Sequence, residues 1–134
     1  MKKFENFTTY LHVLEKASEQ DLENEFIISG IIDKFFVQFE LGWKLLKELL
    51  KYEGRAVGMS GSPRAIIKDA YSIYDFLDAD VWLEMLDNRN DLTHIYDGEM
   101  AKKLVNIIIN RYIPEFHKME NSINATYGNV IKEL

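Results

Sequence analysis

"IISGIIDKFFVQFELGWKLLKELL", residues 27 to 50, decides the fold. Ile28, Ile32, Phe35, Phe39, Trp43, Leu46 and Leu50 recur every three or four residues, which is the period of an α-helix. Ile27, Ile31, Phe36, Leu45 and Leu49 widen that stripe beyond what one neighbouring helix covers. The segment therefore reads as the central helix of a bundle, with a face left over for a second copy of the chain.

The rest of the chain keeps the same period. Phe4, Phe7, Leu11 and Leu14 predict an amphipathic helix ending near Ser18, followed by the polar link "SEQDLENE". The stretch "YEGRAVGMSGS" breaks the pattern with three glycines in eight residues and reads as a flexible connection. Ser62 and Pro63 form a helix start, serine as cap and proline in the first turn, and open a short helix to about Phe76. Asp78 or Asp80 opens the next, with Trp82, Met85 and Leu86 on its apolar side. Asp97 precedes a last helix carrying Met100, Leu104, Ile107, Ile108, Tyr112, Phe116 and Met119, which Pro114 must end or kink. These segments predict an all-α fold, an antiparallel up-and-down four-helix bundle with one additional short helix. The bundle takes residues 1–120 as a single domain. Residues 121–134 form a C-terminal tail in which Ile123, Tyr127, Val130 and Leu134 have helical spacing, against the breaking tendency of Gly128.

Composition narrows the function. A chain of 134 residues is long enough for one real core. The net charge of −6 argues against sequence-blind binding of nucleic acid, which rests on phosphate neutralisation, but leaves room for a local basic site. Cysteine is absent, so neither disulfides nor thiolate chemistry are expected. No apolar run approaches the roughly 20 residues of a membrane span, and no secretory segment follows the first lysines, so a cytoplasmic protein is expected. His12 and His117 fall on separate helices, so no metal site and no cofactor are predicted.

The chemistry concentrates in "RNDLTHIY", residues 89 to 96. At about 100° per residue, Arg89 lies about 20° from Trp82 and so on the axis of the apolar stripe. A guanidinium there either reaches water past a packed stem or holds an anion that offsets its desolvation. Glu40, flanked by Phe36, Phe39 and Trp43, is the acidic residue placed to be that partner. His94 projects about 140° away from Arg89 on a straight helix. The two converge only if the helix distorts between Asn90 and Thr93, or if two copies bring their motifs together. Tyr96 projects back toward Arg89.

"RNDLTHIY" matches the R-x4-H-x-Y motif of the HEPN superfamily, small helical bundles that include many ribonuclease toxins. "FFVQFELGWKLLKELLKYEG" (35–54), "SPRAIIKDAY" (62–71) and "WLEMLDNRNDLTHIYD" (82–97) resemble the HEPN branch of nucleotidyltransferase substrate-binding proteins. The resemblance covers roughly residues 4–120. It implies a homodimer with motifs near the interface, and a minimal nucleotidyltransferase encoded nearby as partner. Two functions follow from it. One is a substrate-binding subunit in a two-protein, toxin–antitoxin-like module. The other is a metal-independent endoribonuclease in which Arg89 clamps the scissile phosphate and His94 moves the proton. The resemblance makes Tyr96 the hydroxyl that accepts AMP and silences such a toxin. Asn90 would orient His94 or contact phosphate.

Further basic residues suit RNA or nucleotide phosphates. Lys44, Lys51 and Arg55 project within about 40° of one another, with Lys47 adjacent. Arg64 and Lys68 lie beside the helix start at Ser62, where backbone N–H groups favour an anion. The alternative is a solvated face paired with Glu40 and Glu48 at i,i+4 spacing.

Overall fold

The computed structural model describes residues 1–91, 93 and 96–134. Helix α1 (Lys2–Leu14) runs into a 3₁₀ turn over Glu15–Glu19, and α2 (Glu25–Tyr52) follows. After α2 come the single turn α3 (Val57–Ser60), α4 (Pro63–Ile73) and α5 (Ala79–Asn90). Helix α6 (Gly98–Ile107) passes through a π-helical turn, Ile108–Tyr112, directly into α7 (Ile113–Tyr127). The all-α bundle read from the sequence is the fold found. Its longest members are α1, α2 and the continuous α6–α7; α4 and α5 are of 11 and 12 residues, and α3 is the short addition.

Helix α2 is the spine. Asn24 caps it, its side-chain oxygen accepting from the N–H groups of Phe26 and Ile27 at 2.9 and 3.3 Å. From there 28 residues extend about 42 Å at the usual rise. Gly54, at φ 78°, ends the helix in a left-handed turn that any other residue would enter only with strain. Along the way α2 packs against α1, α3, α4, α5 and α6. Phe35, Phe39, Leu45, Leu46, Leu49 and Leu50 are fully enclosed, and Phe35 stacks on Tyr112 with ring centres 5.1 Å apart. Gly42 lets α5 come close: a Cβ there would sit 2.7 Å from the buried ring of Trp82. That approach places the end of α5 beside Glu40, one half-turn earlier on α2.

One expectation changes in detail, and one is narrowed. The glycine-rich stretch after α2 is not wholly irregular, since α3 forms within it and lies against α2 and α4. Of the two effects expected of Pro114, an end to the last helix does not occur; the helix instead departs from α-helical geometry just before it. Buried Leu104, Ile108, Tyr112 and Phe116 step by four, and each such step overshoots an α-helical turn by about 40°. The wider π-turn takes up that drift just before the proline, whose missing N–H the distorted ladder does not need.

The end of the chain closes over the core. Ile123, Tyr127 and Ile131 are buried, and the Met1 amino group donates to the Ile131 carbonyl at 2.6 Å. Tyr74 and Tyr127 share a hydrogen bond of 2.6 Å, and Tyr127 donates onward to Glu53 at 2.9 Å. Among the described residues no helix is long and apolar enough to cross a membrane.

Candidate functional site

Asp78 caps α5 by accepting from the N–H groups of Asp80 and Val81. From that start Val81, Trp82, Met85 and Leu86 turn inward and are buried. The next position on the same stripe is Arg89, where the core gives way to surface. Its side chain is 31% exposed, and its guanidinium meets a carboxylate oxygen of Glu40, itself 29% exposed. The other oxygen of Glu40 accepts from the Trp43 indole at 3.0 Å and lies 3.9 Å from the Lys44 ammonium. Arg89 also donates to the Asn90 side-chain oxygen at 3.1 Å. Glu40 is thus a hub for one guanidinium, one indole and one ammonium. A half-buried arginine has its charge offset by an acceptor of the right shape, as the apolar setting demands.

The second half of the motif sits differently from its helical projection. Helix α5 stops at Asn90, where Asp91 turns to extended backbone at φ −90°, ψ 115°. The Asp91 carboxylate then accepts from the Thr93 N–H at 3.0 Å, and Asp97 caps α6 through the N–H groups of Glu99 and Met100. Two acidic caps in succession favour a break over a continued helix. Thr93 and Tyr96 therefore leave the stripe of Trp82 and Arg89, and Tyr96 stands 86% exposed. The straight-helix projection does not extend past Asn90, where α5 ends. His94 itself lies outside the described residues.

The remaining basic candidates separate into two groups. Arg55 makes two hydrogen bonds to Asp69, at 2.9 and 2.5 Å, and reaches Ser72. That contact holds the Asp69 carboxyl below the usual carboxylate range and raises the guanidinium. Arg64 pairs with Asp87 of α5 at 3.2 Å. Both arginines tie α4 to its neighbours. Lys44 and Lys51, by contrast, share a cleft of about 340 Å³ with Lys3, Lys47, Trp43 and Glu48. Lys44 and Trp43 belong both to this cleft and to the Glu40 hub, so the two regions adjoin.

A polar cluster behind the site was not legible from spacing. The π-turn points Tyr112 at α5, where its hydroxyl donates to Glu84 at 2.7 Å and accepts from Asn88 at 2.5 Å. Arg111 donates to the same Glu84 oxygen at 3.1 Å. Burial first, then the hydrogen bond to Glu84, push the Tyr112 hydroxyl well above its ordinary pKa. The cluster fixes the last two turns of α5, and with them Arg89. Lys3 was also missed, because only folding sets α1 beside the end of α2. The same packing brings His12 and His117, which the sequence keeps on separate helices, to a shared neighbour: Glu120 lies 3.6 and 3.8 Å from them. Among the described residues no group of three potential ligands is arranged to hold a metal.

Comparison with curated proteins gives no match. A family model does match, over residues 2–125, and its description is nucleotidyltransferase substrate binding protein like. That span takes in all the helices from α1 to α6 and most of α7, with Glu40, Arg89, Tyr96 and the lysine cleft inside it, and this chain therefore belongs to the nucleotidyltransferase substrate binding protein-like family.

Proposed function

We propose that this chain is the substrate-binding subunit of a minimal nucleotidyltransferase encoded nearby, acting in the cytoplasm as half of a toxin–antitoxin-like module. The observation that carries the reading is Arg89, a half-buried cation held at the surface by Glu40 and adjoining the cleft of Lys44 and Lys51. A phosphate can take the place of the Glu40 carboxylate, because both present paired oxygens to a guanidinium fork. Asn90 is a further polar contact beside it. Arg55 and Arg64 stand apart from that cleft, each held by an aspartate that an incoming phosphate has to displace. No cofactor is needed for this role. Placement in the HEPN superfamily is part of the proposal and rests on the R-x4-H-x-Y string. So is a homodimer, for which Val37 at 41% exposure and Phe26 at 81% on α2 supply apolar surface.

The test is co-expression with the adjacent nucleotidyltransferase. The two proteins are expected to co-purify, and the complex to bind nucleotide more tightly than the nucleotidyltransferase alone. Separate elution and unchanged nucleotide affinity sink the proposal.

One observation favours a second reading, a metal-independent endoribonuclease. Tyr96, the last residue of the motif, is exposed to solvent, where a partner enzyme can reach its hydroxyl with AMP. In that reading His94 takes the proton of a ribose 2′-hydroxyl or returns one to the leaving 5′-oxygen. Arg89 stabilises the charge growing on the phosphate. AMP on Tyr96 then blocks the site by bulk and charge. RNA incubated with the pure protein in EDTA decides it. Products with 2′,3′-cyclic ends that vanish in His94→Ala are expected of a ribonuclease, and intact RNA in both samples removes the reading.

A further inference from the structure

The lysine cleft has a charge that the fold does not explain. Lys44, Lys47 and Lys51 fall at i, i+3 and i+7 on α2, one face of one helix, and Lys3 of α1 joins them across the gap. Four lysines against one glutamate, Glu48, leave a surplus of three positive charges in a chain whose net charge is −6. Like charges at these spacings repel. Glu48 answers only part of this, at 3.7 Å from Lys3. Among the described residues neither Lys47 nor Lys51 has a carboxylate within the 4.0 Å of an ion pair. The cleft concentrates charge where the rest of the molecule disperses it.

Size and chemistry then restrict the occupant. About 340 Å³ is the scale of a small-molecule site, too narrow for a folded nucleic acid. Lysines act on phosphate as mobile point charges, and four along a groove suit a chain of phosphates better than a single planar carboxylate. The triphosphate of a nucleotide carries about four negative charges near neutral pH, close to the surplus available. The indole of Trp43 lines the same cleft as the lysines.

We propose that this cleft is a polyphosphate site that takes the triphosphate tail of a nucleoside triphosphate. The inference rests on the substrate-binding reading and names the substrate class. It also links the cleft to Arg89. Lys44 stands 3.9 Å from Glu40, and a polyphosphate drawing Lys44 into the cleft leaves Glu40 to Arg89 and Trp43 alone.

The experiment is calorimetric titration of the purified full-length chain with ATP, inorganic tripolyphosphate, AMP and a short single-stranded RNA. Wild type is run beside Lys47→Gln/Lys51→Gln, with Lys103→Gln, an exposed lysine of α6, as the control. ATP and tripolyphosphate are expected to bind, AMP at least tenfold more weakly. The double variant should lose at least tenfold in ATP affinity with an unchanged thermal melt, and the control should lose nothing. Tripolyphosphate binding without ATP binding overturns the nucleotide assignment in favour of inorganic polyphosphate. RNA binding alone, no binding at all, or ATP affinity indifferent to the double variant overturns the site. Co-purification with the nucleotidyltransferase is scored separately for the same variants. Retained association without polyphosphate binding defeats only the cleft, and polyphosphate binding without association defeats only the subunit role.

Discussion

Replacing Glu40 with glutamine keeps the shape of the hub and removes its charge. The amide oxygen can still accept from the Trp43 indole, so the loss falls on Arg89 and, weakly, on Lys44. A fully exposed ion pair is worth about 0.2–1 kcal/mol, whereas stripping the partner from a buried one costs about 3–5 kcal/mol. At 31% and 29% exposure, Arg89 and Glu40 lie between these limits, which sets the expected loss near 1.5–2 kcal/mol. For a chain of this length that is about 5–8 °C in melting temperature. The assay is thermal unfolding by circular dichroism of wild type, Glu40→Gln, Arg89→Met and the double variant. The double variant should recover about 1 kcal/mol relative to the sum of the singles, since removing both charges leaves nothing buried and unpaired. A melting point within a degree of wild type for Glu40→Gln, or strictly additive losses, refutes the pairing as a determinant of where Arg89 sits.

Other expectations follow from the same geometry. Tyr112→Phe leaves Asn88 without its acceptor and Glu84 with Arg111 alone, and should cost about 1–2 kcal/mol by urea unfolding; no loss shows the cluster to be ornamental. Gly42→Ala gains up to about 1 kcal/mol in helix propensity but drives a methyl into Trp82, so a net loss of about 1–2 kcal/mol is expected, and a stabilised variant contradicts the close approach. Tyr74, Tyr112 and Tyr127 all have hydroxyls pushed upward, by burial first in each. Their raised folded values mean that the unfolded chain releases these protons first. The stability they contribute is therefore complete below pH of about 10 and falls as pH rises above it. Phenolate absorbance should show three of the seven tyrosines ionising only as the helical signal collapses, and simultaneous ionisation of all seven in a still-helical protein rules this out.

Most of the architecture was legible because the relevant signals are local. Helical period, serine and aspartate caps, and the Ser62–Pro63 start depend on residues within a turn or two of one another, and they mark α1, α2, α4 and α5. The pairing of Glu40 with Arg89 was legible for a different reason: each is a charge embedded in an apolar stripe, and such charges have few partners to choose from. Projection failed past Asn90, because it assumes a continuing helix and two aspartate side chains end one there. The Tyr112 cluster and the contribution of Lys3 stayed hidden because they depend on how far one helix is rotated against another, and no spacing within a single helix encodes that.

The π-turn bears on how relatives of this chain are to be aligned. It amounts to one residue more than an α-helix needs over the same length. A relative lacking one residue between Ile108 and Tyr112 can run on as a straight α-helix with everything C-terminal facing as it does here, whereas a relative of the same length without the π-turn has everything C-terminal rotated by about 100°. Phe116 and Tyr127 would then turn away from the core, and Glu120 away from His12. For the shorter relative, a gap placed anywhere else in the last helix would equate residues whose facings differ by about 100°. The alignment of Tyr112 with its counterpart is the point on which such a comparison turns.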